Sequence, residues 1–306
     1  MKQLIYVVQE ESEGLRIDKY LSELEQNLTR SYIQKLISEG CLKVNDHLVK
    51  ASYQIKENDR IQLDVPDQQY PDILPEDIPL DILYEDQDLL VVNKPQGMVV
   101  HPSAGHFSGT LVNALLYHCK DSLSGINGVL RPGIVHRIDK DTSGSLVVCK
   151  NDRTHRLLAE QMAAHSCIRR YRTIVHGRIR EEEITVSAPI GRDPKDRKKM
   201  TVRESGKGKD AVTHMRVLQR FSAFTYAECV LETGRTHQIR VHAAYRGHPV
   251  LGDPVYGPRK CPVPGLHGQT LHAMDLGFVH PAKNEYMEFT APLPAYFTEL
   301  LDKKLS

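Results

Sequence analysis

Charged side chains cluster in "GIVHRIDKDTSGSLVVCK" (133–150), where His136, Arg137, Asp139 and Asp141 lie between two apolar runs. A carboxylate beside an arginine is typical of three arrangements: a surface ion pair, a metal ligand, or a catalytic group that is held ionised. Side chains two positions apart in an extended segment point to the same side, so we expect Arg137 and Asp139 to face one side together. Asp139 is therefore the candidate catalytic carboxylate.

The residues that follow Asp139 favour a turn. In "DTSG" (141–144), Asp, Thr and Ser are residues that hydrogen-bond local backbone groups, and Gly tolerates the bend. We therefore expect Asp141 to be structural. A partly buried aspartate stays ionised only where cations or donors stabilise it, and further arginines for that purpose occur in "YRTIVHG" (171–177) and "ETGRTHQIRVH" (232–242).

Other chemistries have little support in the sequence. "GKGKDA" (206–211) fits a dinucleotide fingerprint only loosely and lies in a Lys-rich stretch, and no Walker-type phosphate loop is present. "HPSAG" (101–105) lacks the leading glycine of a nucleophile elbow. The 15 histidines form no metal-ligand motif, and the six cysteines contain no C-x-x-C pair. One aspartate, several arginines and an exposed tyrosine, without a metal or cofactor, indicate an anionic polymer substrate.

A chain length of 306 residues is consistent with two domains. Lys and Arg number 40 against 39 Asp and Glu, so the net charge of +1 does not by itself indicate a nucleic-acid binder. The N-terminus lacks the pattern of a signal peptide and no apolar run approaches 18 residues, so we expect a soluble cytoplasmic protein. The proline-rich stretch 65–80 predicts a linker between a domain at 15–75 and a domain at 80–306.

The N-terminal domain reads as two helices, a hairpin and a strand. "LRIDKYLSEL" (15–24) and "TRSYIQKLISEG" (29–40) have helical apolar spacing, with Thr29 as the expected N-cap, and "CLKVNDHLVK" (41–50) alternates around Asn-Asp. With "DRIQLDV" (59–65) as a final strand, this order resembles the small alpha-L RNA-binding motif of a small-subunit ribosomal protein and tyrosyl-tRNA synthetases. The resemblance implies an RNA-facing side formed by Arg16, Lys19, Arg30, Lys35 and Lys43.

The charge of this domain opposes simple electrostatic attraction to RNA. Residues 1–75 contain nine Lys and Arg against thirteen Asp and Glu. The alternative reading is a helical appendage with ordinary solvated charges.

Beyond the linker, strand-like stretches outnumber helical ones and short connections join them. "DRTHRLLAEQMAAHSCI" (152–168) predicts a helix with Leu157, Leu158, Met162 and Ile168 facing inward. The fold class that we predict is α+β: a small helix-helix-hairpin domain followed by a mixed, mainly antiparallel sheet.

Six sequence blocks in this second domain resemble the RluA family of pseudouridine synthases, in the order of that family. They are "VVNKPQGMVVHP" (91–102), "GIVHRIDKDTSG" (133–144), "YRTIVHG" (171–177), "TGRTHQIRVH" (233–242), "GDPVYG" (252–257) and "LHA" (271–273). The match spans residues 85–290, and the longer "LRPGIVHRIDKDTSG" resembles the RluD-type branch, which also carries an N-terminal RNA-binding module.

The resemblance implies a cofactor-free isomerase. Such an enzyme breaks the bond between uracil and ribose, turns the base and rejoins it through carbon five. It implies that Asp139 is the essential carboxylate, as nucleophile or as base, and that Arg240 pairs with it. It also implies that Tyr171 packs against the target base and that Arg137 helps to hold the base out of its stack. His136 is expected to anchor the backbone.

Basic residues near these blocks predict the RNA-facing surface. Residues 192–209 contain eight Lys and Arg against three acids, which indicates either a solvated loop or a phosphate-tracking arm. Arg169, Arg170 and Arg172 extend this patch. The residues that we expect to contact substrate in this domain are Lys94, Arg169, Arg235 and His237.

We expect a monomer that binds structured RNA and no membrane, with large-subunit ribosomal RNA or the assembling ribosomal subunit as its partner. The alternatives are the same chemistry on transfer RNA, a non-catalytic ribosome-assembly factor, and a hydrolase in which water captures the broken glycosidic bond. Release of free uracil would identify the last of these.

Overall fold

In a computed structural model, the chain forms two compact units, residues 1–70 and 71–306. The structure describes residues 2–25, 28, 30–65, 73–103, 106–120, 122–128, 131–196, 199–204 and 206–304. Thr29 and much of the proline-rich stretch fall outside these ranges. None of the helices within them has the length and apolar content that a bilayer crossing requires.

The N-terminal unit packs two helices against a small antiparallel sheet. Its elements are β1 (Lys2–Val7), α1 (Ile17–Leu24), α2 (Arg30–Ser38), β2 (Leu42–Val44), β3 (His47–Leu48) and β4 (Arg60–Val65). Asn45 and Asp46 connect β2 to β3 with φ values of 47° and 66°, the conformation that a tight hairpin requires. Ile17, Leu21 and Ile33 from the helices are fully buried in this core. The predicted helix-helix-hairpin order is confirmed.

One strand of this unit was missed. The apolar run that follows Met1 was treated only as a short hydrophobic segment, but β1 pairs with β4 along its whole length, from Lys2 opposite Val65 to Val7 opposite Arg60.

The second unit is built on one large sheet. Its strands are β5 (Ile82–Glu85), β6 (Leu89–Lys94), β7 (Ser143–Cys149), β8 (Ile168–His176), β9 (Glu183–Ser187), β10 (Ile190–Arg192), β11 (Met200–Val202), β12 (Val212–Arg220), β13 (Phe224–Leu231), β14 (Leu271–Val279) and β15 (Tyr286–Thr290). Its helices are α3 (Leu111–Cys119), α4 (Asp152–Ala163), α5 (Gln238–Tyr245) and α6 (Ala295–Glu299).

Nine of these strands join in the order β5-β6-β7-β14-β8-β13-β12-β9, with β15 paired to β14. Every pair in the described part of this sheet is antiparallel except β7 with β14. The prediction of an α+β chain with a mixed, mainly antiparallel sheet is confirmed.

The parallel contact between β7 and β14 depends on a glycine. Gly144 has a φ of 112°, and a Cβ built there would lie 2.1 Å from the carbonyl oxygen of Ala273. No other residue allows this approach of the two backbones. Because β14 also pairs with β8, this contact brings the segment before β7 and the residues of β8 to the same region of the sheet.

One local prediction was wrong. Helix α4 ends at Ala163, and Ile168 is the first residue of β8 and not a helical residue. Of the two alternatives for the basic stretch 192–209, a plain loop is not what the structure has, because β10 and β11 form an antiparallel hairpin in which Ile190 lies opposite Val202. The short strands and the dominance of charged residues hid the alternation that would have indicated them. The alternative of a phosphate-tracking arm stays a prediction.

Candidate functional site

Asp139 lies in a cleft of about 360 Å³, counting the space that is open to solvent. The segment before β7 supplies Arg137 and Asp139, β8 supplies Tyr171, and the start of α5 supplies Arg235 and His237. The remaining lining residues are Ile138, Thr142, Leu231, Gln238, Ile239, Arg240 and Leu271.

Arg240 holds the carboxylate of Asp139. Its Nη1 donates to Asp139 Oδ2 at 2.8 Å, while its Nε and Nη2 donate to the two oxygens of Asp253 at 2.6 and 2.9 Å. Arg240 and Asp253 are buried, and the Asp139 side chain is 18% exposed. One guanidinium therefore bridges a buried carboxylate and a carboxylate that reaches the cleft.

The electrostatics of this bridge keep Arg240 and Asp253 charged. Burial opposes the charge on Arg240, but the hydrogen bonds and charges of Asp253 and Asp139 outweigh it and raise the pKa of Arg240 above its usual range. Burial would raise the pKa of Asp253, yet Arg240 and the backbone N–H groups of Val255 and Tyr256 lower it on balance. Asp253 is thus an anion inside the protein.

Sequence reasoning missed Asp253 as a site residue. It lies in "GDPVYG", which was quoted only as a family block, and its partner Arg240 is 13 positions away. A carboxylate inside a glycine- and proline-containing loop was the signal, but its contact could not be derived from spacing.

His237 lies near the carboxylate of Asp139, the group that Arg240 also holds. It is the N-cap of α5 with a φ of 57°, and its Nδ1 lies 2.9 Å from the hydroxyl of Tyr256. That hydroxyl also accepts a hydrogen bond from Met200 N at 2.9 Å. The other ring nitrogen of His237, Nε2, lies 3.8 Å from Asp139 Oδ1. Burial lowers the pKa of His237, against the charge of Asp139, which favours the neutral form.

Tyr171 is buried, with 8% of its surface exposed, so the expectation of an exposed tyrosine was wrong. Alternation along β8 explains this, because Arg169, Tyr171 and Thr173 share the buried face of the strand. Burial raises the pKa of Tyr171, and its hydroxyl is protonated at neutral pH. Its side chain lines the cleft that contains Asp139.

Arg137 is exposed at the rim of the cleft, and its Nη1 lies 3.4 Å from Nε2 of the buried His101. His136 accepts a hydrogen bond at Nε2 from Val147 N at 3.1 Å, which confirms its expected role as a backbone anchor. Thr142 and Ser143 were expected to hydrogen-bond local backbone groups. That expectation was wrong, because their hydroxyls lie near the side chains of Gln269 and His272.

Lys94 does not face RNA. It is 1% exposed, and its Nζ donates to the carbonyl oxygens of Pro95, Met98 and Lys140 at 2.8, 2.8 and 3.0 Å. The expectation of a direct substrate contact is therefore corrected: Lys94 ties the loop after β6 to the backbone one residue beyond Asp139. Burial lowers the pKa of Lys94 to about 7, against the charges of Asp141 and Asp139.

Two of the three arginines in the expected basic patch of β8 are neutralised. Arg170 lies 2.9 Å from a carboxylate oxygen of Glu288, and Arg172 pairs with Glu228. Arg169 lies on the opposite, buried face. Arg235 donates from Nε to the carbonyl of Asp210 at 2.8 Å and remains half-buried at the edge of the cleft.

In the N-terminal unit, a buried carboxylate organises two of the expected RNA-facing residues. Asp18 is fully buried and accepts two hydrogen bonds each from Arg16 and Arg30, whose side chains are 47% and 48% exposed. Burial would raise the pKa of Asp18, but these arginines and Gln34 lower it well below its usual range. Arg16 and Arg30 therefore present fixed guanidinium groups at the surface.

The other expected contacts of this unit are exposed surface charges. Lys19 lies 3.8 Å from Glu23 and Lys35 lies 3.6 Å from Glu39, both one helical turn away, and Lys43 is exposed on β2. Such exposed pairs contribute little to stability.

Among the described residues, Asp86, Asp88 and His280 are the one group with three potential metal ligands in reach of one another. The ammonium of Lys283 lies 3.2 Å from Asp86 Oδ2, where it supplies the positive charge, and its backbone N–H donates to His280 Nδ1. None of these residues lines the cleft that contains Asp139.

Comparisons with known proteins agree with this geometry. The sequence model of the RNA pseudouridylate synthase family matches residues 88–245, and that of the S4 domain matches residues 15–61. RNA pseudouridine synthase YlyB of Bacillus subtilis is 54% identical over 302 residues, which cover 99% of this chain and 98% of the relative. Ribosomal large subunit pseudouridine synthase D of Zymomonas mobilis is 49% identical over 293 residues, with 93% and 92% covered.

A solved structure, human RNA pseudouridylate synthase domain containing 1, matches with a TM-score of 0.58 and 27% identity over 70% of this chain and 83% of that one. Both expected resemblances, in the N-terminal unit and in the second unit, are confirmed. The chain belongs to the RluA-type family of RNA pseudouridine synthases, which are isomerases, and it carries an N-terminal S4 domain.

Proposed function

We propose that this enzyme converts uridines of large-subunit ribosomal RNA to pseudouridine, with Asp139 as its essential carboxylate and without a cofactor. The observation that carries the proposal is the bridge of Arg240 between Asp253 and Asp139. The bridge holds the Asp139 carboxylate through Oδ2 in a cleft that is lined partly by apolar side chains.

The chemistry requires a charged carboxylate in either of its possible roles. The bond between uracil N1 and the ribose breaks, the base turns, and C5 bonds to the ribose, so that C5 loses a proton and N1 gains one. Asp139 acts on the ribose or the base as nucleophile or as base, and both roles need its ionised form. The isomerisation neither oxidises nor reduces the nucleoside, which is why a redox cofactor has no task in it.

Tyr171 and Arg137 are proposed to hold the target base. A base inside a stem or folded loop must leave its stack before Asp139 can reach the nucleoside. The buried ring of Tyr171 offers a flat apolar surface inside the cleft, and the exposed guanidinium of Arg137 stands at its rim, where it can take the place of the extruded base.

Two observations support ribosomal RNA as the substrate. Relatives that match over more than nine-tenths of this chain bear the name ribosomal large subunit pseudouridine synthase D. The S4 domain presents Arg16 and Arg30 as a fixed pair around Asp18, and fixed guanidinium groups bind phosphate oxygens with little loss of side-chain entropy. Because this domain is net acidic, we expect its contribution to depend on these oriented side chains.

The substitution Asp139→Asn tests the assignment of the carboxylate. It keeps the shape of the side chain and removes its charge, so we expect the rate of pseudouridine formation on an unmodified large-subunit ribosomal RNA transcript to fall by about 100-fold or more. Thermal unfolding and RNA binding should stay unchanged. Asp141→Asn removes the same charge two positions away and should retain activity near that of the wild type.

Comparable turnover by Asp139→Asn would show that another group performs the chemistry. The substrate is tested separately, by offering the wild-type enzyme transfer RNA transcripts in parallel. Modification of transfer RNA alone would contradict the ribosomal assignment and leave the role of Asp139 intact.

A further inference from the structure

Arg169 is a buried cation without an anionic partner among the described residues. Only 9% of its surface is exposed, its Nη2 donates to the carbonyl oxygen of Glu232 at a long 3.3 Å, and its Nε has no hydrogen-bond partner. Within the described ranges, no carboxylate oxygen lies within 4.0 Å of its guanidinium, whereas its neighbours Arg170 and Arg172 both have one.

Burying an unpaired charge is costly, and proteins normally pair or coordinate such groups. Glu232 contacts Arg169 only through its backbone, since its carboxylate lies 2.6 Å from His214. The part of the chain that the structure describes therefore supplies no anion for Arg169.

The space beside Arg169 is suited to an anion. A second cleft of about 1220 Å³, counted with its solvent-open part, is lined by Arg169 together with Arg137, Arg235, His136 and His165. None of the described residues that line it is an aspartate or glutamate. It shares Arg137, Tyr171 and Arg235 with the cleft that contains Asp139, so the two clefts adjoin.

Gly234 is shaped to the guanidinium of Arg169. A Cβ at this position would lie 2.4 Å from Nη1 of Arg169, although the φ of Gly234 is outside the left-handed region. The backbone conformation therefore does not require glycine at this position. The guanidinium of Arg169 does require it, because the Cβ of any other residue would displace Nη1.

We propose that Arg169 binds one backbone phosphate of the RNA strand, next to the uridine that is held over Asp139. Guanidinium groups and phosphates form short, charge-assisted hydrogen bonds. Nη1 of Arg169 lies beside the exposed Gly234 in the lining of the second cleft and is the donor placed to make such a bond. The inference rests on the proposed function, since it assigns the phosphate to the same RNA substrate.

The test compares Arg169→Gln with Arg170→Gln, which removes the same charge at the next position on the opposite face of β8. Binding of a short fluorescein-labelled oligouridine is measured at several salt concentrations, with Asp139→Asn in every protein to prevent turnover. We expect Arg169→Gln to weaken binding about tenfold and to reduce the salt slope by about 0.7, the value of one lost phosphate contact on a single strand.

Two further measurements identify the contact. A neutral methylphosphonate, placed at each linkage in turn, should weaken binding at one linkage in the parent protein and not in Arg169→Gln. Gly234→Ala should weaken binding as Arg169→Gln does and should add little to it, because both displace the same guanidinium. With Asp139 restored, Arg169→Gln should raise KM and leave kcat nearly unchanged, since the contact holds substrate and transition state equally.

A structural role for Arg169 would give a different pattern. Replacing an unpaired buried cation should leave the melting temperature equal or higher, so a large loss of stability in Arg169→Gln without a change in salt slope would overturn the proposal. Equal slopes for the two glutamine variants would do the same. If the wild type forms no pseudouridine in ribosomal RNA but these binding results hold, the proposed function fails and the phosphate site stands.

Discussion

Asp253→Asn separates the positioning of Arg240 from the chemistry of Asp139. An asparagine keeps the oxygen that accepts from Arg240 Nη2, Val255 N and Tyr256 N. It replaces the oxygen that accepts from Arg240 Nε at 2.6 Å with an N–H donor. One charge-assisted hydrogen bond becomes a contact between two donors, and Arg240 keeps only Asp139 as a carboxylate partner.

The expected cost follows from the burial of the pair. Breaking a fully buried ion pair costs about 3–5 kcal/mol. Because Arg240 keeps its contact with Asp139, we expect Asp253→Asn to lower the unfolding free energy by about 3 kcal/mol. Arg240 can shift once one of its three anchoring hydrogen bonds is lost, and a displacement of about 1 Å in a catalytic group costs about 100-fold in rate. We expect kcat to fall by about 10- to 100-fold, with RNA affinity nearly unchanged.

The pH dependence of stability gives the sign of the effect. The folded-state pKa of Asp253 is lowered, so its stabilisation is present above the unfolded value of about 3.9 and is lost as pH falls below that value. The urea midpoints of wild type and Asp253→Asn should therefore differ most at neutral pH, and the difference should become smaller as pH falls below about 4. Asp302→Asn, which changes an exposed carboxylate near the end of the described chain, is the control. A variant as stable and as active as the wild type would refute the positioning role.

Two other perturbations test buried groups outside this bridge. Lys94→Met leaves the carbonyl oxygens of Pro95, Met98 and Lys140 without their donor, so we expect a loss of about 2–4 kcal/mol in unfolding free energy and a lower kcat, with RNA affinity preserved. A tenfold loss of RNA affinity in Lys94→Met would support a direct contact between Lys94 and RNA, which the burial of Lys94 argues against. Burial, with the charges of Arg137 and Arg131, lowers the pKa of His101 to about 4. As pH falls from about 6.5 to 4, His101 takes up a proton in the unfolded state but not in the folded state, so the wild type should lose about 1.4 kcal/mol of unfolding free energy per pH unit from this residue. His101→Gln should flatten urea-midpoint profiles over that range, and a parallel profile would contradict a neutral His101.

Local signals in the sequence were sufficient for much of the fold. The Asn45–Asp46 turn follows from the residues that it contains, because few residues other than glycine, Asn and Asp accept its positive φ values. Alternation would also have placed Tyr171 on the buried face of β8, had it been followed along the strand. The strand β14 escaped prediction because its buried residues are nearly continuous and do not alternate.

The candidate site was less predictable because its contacts join distant parts of the chain. The family blocks named Asp139 and Arg240, and the structure places them 2.8 Å apart across 101 positions. The residues that hold them, above all Asp253, have roles that arise only from three-dimensional contact. Lys94 shows the opposite error, since a lysine in a functional block was assigned to the surface although its ammonium serves three buried carbonyl groups.

The position of β14 has a consequence for the order in which the molecule is made. It is the last of the strands at the middle of the sheet to be synthesised, yet it lies between β7 and β8. Until β14 is made, β7 and β8 lack the neighbour that they share in the folded sheet, and unpaired strand edges are prone to mispairing. Asp139 lies shortly before β7, and Tyr171 lies in β8. The two sides of the cleft are therefore joined through a strand that is synthesised after both of them.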